Sequence, residues 1–211
     1  MAVGQRVRDW YSPAILFPAE RAIIASDTSP ALAALRDATR ELHATLDAAS
    51  PLTSPDFSKA DYLAYAARVA GWMRPVEQQL YGTGLRWPAD LATAARGQKS
   101  AWLVEDLGKT PSQPDCPYVP QPSSLAAAYG LAYVCEGATL GGAYLYKRLS
   151  AQLAPLPLAW LRGYGPDTGT MWKGFLAHLS QDVTTPEDIE AAAEAARNGF
   201  MTFERWMREG Q

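Results

Sequence analysis

The chain has 211 residues, of which 48% are hydrophobic and 19% charged, and its formal charge is −3. That balance fills a core and excludes an intrinsically disordered protein, which combines few apolar residues with a large net charge. No global basic field is present to advertise nucleic acid. Length and composition together suit one domain.

Two cysteines, Cys116 and Cys135, are too few for a disulfide scaffold, and neither sits in a CxxC pair that would suggest zinc. Reduced thiols in a cytoplasmic protein are the expectation. Residues 1–20 contain no apolar run ahead of a small-residue cleavage site, so no signal peptide is read.

Residues 1–28 lack sustained periodicity and are taken as an N-terminal arm, with the domain occupying 29–211. At Ser29-Pro30 a helix start becomes legible, with Ser as N-cap and Pro at the first helical position. Leu32, Leu35, Thr39, Leu42 and Leu46 then recur at helical spacing. A second helix opens at Ser58, with Asp61 three residues on as a capping box and Pro75 as an expected kink. Shorter helices are predicted over 89–96 and 99–107. Pro111 to Pro122 holds five prolines in twelve residues and reads as an extended loop.

Leu125 to Tyr146 is long enough to span a membrane, at 22 residues with the single charge Glu136. A carboxylate at the midpoint, four glycines and a mean hydropathy of −0.17 favour a buried central helix instead. A short apolar piece near 156–161, a glycine-rich turn over 163–169, a helix over 170–181 and a last helix from Thr185 to about Arg208 complete the chain. No run alternates in the manner of a strand, so the class is all-α with six to eight helices.

Few residues can carry chemistry. His43 borders the apolar stripe of the first helix, and Asp47 follows four residues later on the same face. The pair suits either a histidine satisfied by a local acid or a ligating histidine oriented by a carboxylate. Gly130, Gly137, Gly141 and Gly142 interrupt the long helix, where each glycine costs about 1 kcal/mol against alanine. They suit either close helix packing or the approach of bare backbone to something flat. Glu136 has no paired carboxylate at a useful spacing, and no Glu-x-x-His pair supports a di-iron bundle.

Read together, two segments are identified with a family. Leu35-Arg36-Asp37-Ala38-Thr39-Arg40-Glu41-Leu42-His43 resembles the proximal helix of heme oxygenases. Tyr133-Val134-Cys135-Glu136-Gly137-Ala138-Thr139-Leu140-Gly141-Gly142 resembles their distal helix, closest to the bacterial branch that accompanies bacteriophytochromes. The likeness covers roughly 31–207.

It implies a single-domain helical bundle with heme held between the proximal and distal helices. His43 would be the axial iron ligand, with Asp47 behind it. Arg36 would pair with a propionate, with Arg40 as a secondary cation. Gly137, Gly141 and Gly142 would bring the distal backbone over the porphyrin, and Tyr133 would reach a propionate. Lys173 would stand near the other propionate, and Phe200 would line the pocket. Animal members carry an aspartate where this chain has Ala138, so Thr139 is expected to hold the distal water instead.

The implied reaction uses heme as cofactor and substrate. With O2 and external electrons it yields biliverdin, carbon monoxide and iron. The implied partners are a ferredoxin, flavodoxin or NADPH-dependent reductase, and a bacteriophytochrome receiving biliverdin, with no nucleic acid and no membrane span. A non-catalytic heme-binding or carrier protein on the same fold is the alternative.

Overall fold

The computed structural model describes residues 29–54, 56–82, 84–109 and 113–209, so the arm expected over 1–28 lies outside the described residues. Helix α1 (Pro30–Ala49) begins as its sequence dictates, with the Ser29 hydroxyl accepting from the Leu32 amide at 3.3 Å. Its apolar stripe is regular, but its burial is not. Ala31, Leu32, Leu35 and Thr39 are buried, whereas Leu42 and Leu46 are only half covered. The second half of α1 therefore borders surface, and His43 lies there.

Helix α2 (Lys59–Tyr81) starts in the full capping box of Ser58 and Asp61. It runs without a break through Pro75. Proline lacks the N–H that would bond four residues back, which releases the Gly71 carbonyl. The Cys116 amide takes that carbonyl at 2.8 Å, pinning the proline-rich loop onto the helix.

The helix expected over 89–96 shrinks to one turn, α3 (Thr93–Arg96), because Ala92 adopts φ 58 and interrupts it. Helix α4 (Lys99–Leu107) follows, and the loop then leads to α5 (Leu125–Leu149), capped by Ser124. No described helix is long and apolar enough to cross a membrane.

A single turn, α6 (Ala159–Arg162), is held at its start by Asp106. That carboxylate accepts from the Ala159 amide at 2.5 Å, the Trp160 amide at 3.0 Å and the Tyr62 hydroxyl at 2.6 Å. Helix α7 (Thr168–Asp182) and helix α8 (Pro186–Arg208) close the chain, the latter capped by Thr185. Among the described residues there is no strand.

Helix α8 packs along both α1 and α5, α4 lies on α2, and α6 sits against α5 and α4. One hydrophobic core joins these elements, with Tyr62, Trp72, Tyr129 and Phe175 among its largest side chains. Gly130 explains the closeness of α5 and α8. A Cβ there would fall 1.9 Å from the Ala192 carbonyl oxygen, so only glycine admits the opposing backbone. Both cysteines are buried and unpaired in disulfides.

Candidate functional site

The half-covered part of α1 presents His43 with its side chain 50% exposed. Asp47 Oδ2 lies 3.0 Å from His43 Nδ1, the contact that i, i+4 spacing allows. This hydrogen bond raises the histidine pKa above its ordinary 6.5. With Nδ1–H donated to the carboxylate, Nε2 is the nitrogen that carries the lone pair in the neutral ring. Burial and the Asp47 charge together push the Tyr65 phenol up to about 12. The buried Phe200 ring of α8 lies 5.7 Å from the imidazole, tilted by 50°.

A second contact joins α1 to α5. Burial raises the Tyr133 pKa, while Thr39 and Arg36 of α1 stand near enough to its hydroxyl to act in the opposite direction. Its ring lies 5.7 Å from Trp172 of α7. His43 stands one turn beyond Thr39 along α1, and Gly137 stands one turn beyond Tyr133 along α5. Side chains of the two helices thus approach each other one turn before both residues. Thr39 and Trp172 escaped the sequence reading because each reads as an ordinary core position.

The glycines of α5 do different things. A Cβ added at Gly137 or Gly141 would meet none of the described residues within 4 Å, so both face an opening among them. At Gly142 it would lie 3.3 Å from the Leu161 carbonyl oxygen, so that residue packs against α6 rather than facing the opening. Thr139 also points inward. It is buried, and its hydroxyl donates to the Cys135 carbonyl at 3.0 Å. Its methyl lies 2.6 Å from where a Cβ on Gly163 would be. The hydroxyl expected to hold a water is engaged on its own helix.

Other expected residues lie at the margin. Arg40 is exposed and paired with Asp37. Lys173 is exposed on α7, next to Trp172 in the chain. A surface groove of about 630 Å³ runs between Pro120, Leu131 and Met201, and it includes none of the expected site residues.

Glu136, idle in the sequence, is the centre of a buried ionic cluster. It is 2% exposed. Arg96 Nη1 donates to it at 2.6 Å, Lys99 Nζ at 2.7 Å and the Tyr164 hydroxyl at 2.9 Å. Its partners lie 28 to 40 residues away in the chain, beyond the reach of any spacing rule.

Among the described residues, no three His, Cys, Asp or Glu side chains converge on a metal position. A lone oriented histidine suits a metal that arrives with its other ligands. Bare backbone at Gly137 and Gly141 suits a flat partner, and Arg36 sets a cation at the α1–α5 junction. The residues fit a heme.

Comparison with known proteins agrees. The chain is 27% identical over 168 residues to Heme oxygenase PigA of Pseudomonas aeruginosa, a match covering 78% of this chain and 85% of that protein. The heme oxygenase family model matches residues 29–209. Both recognised helices lie inside that span, and the chain belongs to the heme oxygenase family.

Proposed function

We propose that this chain is an active heme oxygenase, opening heme to biliverdin, carbon monoxide and ferrous iron with O2 and external electrons. One observation carries the reading. His43, held by Asp47, and the open glycine face of α5 each begin one turn past the same α1–α5 junction. When bound, heme supplies both the iron that activates dioxygen and the ring that is oxidised.

The protein's part is binding and exclusion. His43 would hold the iron through Nε2, with Asp47 fixing the ring and increasing its basicity. Arg36 and the Tyr133 hydroxyl would hold a propionate by charge-assisted hydrogen bonds. Phe200 packs against the imidazole and limits its rotation. Gly137 and Gly141 would leave the face of a bound ring free of side chains, open to small molecules and ordered water.

A ferredoxin, flavodoxin or NADPH-dependent reductase supplies electrons under this reading, and a bacteriophytochrome is a fitting recipient of the biliverdin.

A second reading, a heme binder that does not turn over, draws on Thr139. With that hydroxyl engaged by Cys135 and alanine at 138, neither residue offers a side-chain donor for a distal water. Hemin titration followed by ascorbate in air separates the two. Loss of the Soret band with growth of a broad band near ~680 nm marks turnover of heme as its own substrate. A persistent Soret band leaves only binding, and no Soret band refutes both readings.

A further inference from the structure

At Gly137 and Gly141 the working face of α5 offers no side chain to hold the helix in place. Added Cβ atoms at Gly137 and Gly141 would touch none of the described residues, so support for this stretch of wall comes from its back. At about 100° per residue, Glu136 and Gly142 stand about 120° to either side of the Gly137–Gly141 face. Both are firmly engaged.

Gly142 lies against the α6 backbone at Leu161. Glu136 receives Arg96, Lys99 and Tyr164, three donors from outside α5. The two supports share one origin. Lys99 is the first residue of α4, and Asp106, near its end, holds the Ala159 and Trp160 amides of α6.

Both cations of the cluster have partners beyond Glu136. Lys99 Nζ also reaches the Arg96 carbonyl at 2.8 Å and the Tyr164 oxygen at 2.9 Å. Arg96 also donates to the Leu91 carbonyl at 2.6 Å and the Met171 carbonyl at 2.9 Å, which ties in α7. Glu77 of α2 accepts from the Lys99 amide at 2.5 Å and from the Ser100 hydroxyl, so two carboxylates balance two cations. Buried ion pairs contribute little net stability compared with well-packed apolar residues, while their geometry is strict. A cluster of this kind is better suited to fixing position than to adding stability.

We propose that α4 is the back-plate of the glycine wall, and that Glu136, braced by Lys99, Arg96 and Tyr164, is the positioning residue that sets the wall's distance from a bound ring. This rests on the proposed function for its consequence in turnover, but the brace itself can be tested without heme.

The first measurement is amide hydrogen exchange on the apoprotein. Tyr164→Phe removes one hydrogen bond to Glu136, and exchange over 137–141 should rise on the order of fivefold while 192–200 of α8 stays unchanged. Glu136→Gln should give a larger rise in the same place, and if it fails to fold, Tyr164→Phe decides alone.

The second measurement is the ratio of biliverdin isomers from the hemin-loaded chain under ascorbate. A displaced wall should move that ratio about threefold or more, since sub-ångström placement governs where attack falls. Exchange over 137–141 that matches wild type, or that rises equally throughout the chain, overturns the proposal, as does an unchanged isomer ratio. A wild-type chain without a Soret band refutes the proposed function instead, leaving the exchange result to decide the brace.

Discussion

Glycine-to-alanine substitutions along α5 should have opposite signs at positions that the sequence does not distinguish. In a helix interior, alanine replacing glycine gains about 0.5–1 kcal/mol, because it restricts the unfolded chain. Gly137→Ala and Gly141→Ala should realise that gain, since the new methyl meets none of the described residues within 4 Å. At Gly130 the methyl would fall 1.9 Å from the Ala192 carbonyl oxygen and 2.7 Å from its carbon, where ordinary contact begins at 3.4 Å. Backbone cannot rotate out of the way, so α5 and α8 must separate by about 1.5 Å along their closest contact. Overpacking of that kind costs about 1–3 kcal/mol, which exceeds the helix-propensity gain. Urea unfolding of the apoproteins measures both signs, and hemin titration adds the functional half. Gly141→Ala should raise the unfolding midpoint while weakening or displacing bound hemin. A loss of stability in Gly141→Ala, or a neutral Gly130→Ala, would refute the assignment of open and closed faces.

Further expectations concern the site and the thiols. Asp47→Asn should lower the His43 pKa in an NMR titration, which two histidines make easy to resolve. Because Asp47 raises that pKa, the pair's contribution is complete below pH 6.5 and lost as pH rises through the folded value. For so exposed a pair, it amounts to about 0.3–0.5 kcal/mol. Hemin loading has the reverse pH dependence, falling as the ring protonates, and Asp47→Asn should shift that loss to lower pH while weakening binding about tenfold at neutral pH. Thr139→Val should leave verdin formation within about twofold of wild type, since the hydroxyl serves Cys135; a tenfold loss would return it to the proton path. Burial pushes the Cys135 thiol up to about 12 and raises Cys116 as well. Neither should react with a thiol reagent at pH 8 until denaturant is added.

What could be read in the sequence was local or periodic. Ser29-Pro30, the Ser58–Asp61 box and Thr185-Pro186 mark helix starts because a cap is satisfied within three residues. The histidine with its aspartate obeys the same short-range rule. Tertiary placement was harder to see. Gly130, Gly137, Gly141 and Gly142 look alike until the structure sets Ala192 against the first, Leu161 against the last and none of the described residues against the other two. Glu136 lacked an apparent role because its partners come from α3, α4 and the turn before α7. The direction of Thr139 was not legible because it depends on which face of α5 is open. The turn at Ala92, which shortens the predicted helix to α3, follows from a left-handed backbone that no residue there announces.

The carbonyl freed by Pro75 has a consequence for exchanging parts between relatives. Gly71 sits in a notch, because a methyl there would lie 2.8 Å from both the Pro114 oxygen and the Trp206 ring. The Cys116 amide anchors the loop in that notch, and the Trp206 indole crosses to the Arg68 carbonyl at 2.8 Å. Positions 68, 71, 75, 114, 116 and 206 therefore travel as one unit across three distant stretches of chain. A loop graft that brings Pro114 and Cys116 without Gly71 and Pro75 would arrive with its anchor point already occupied.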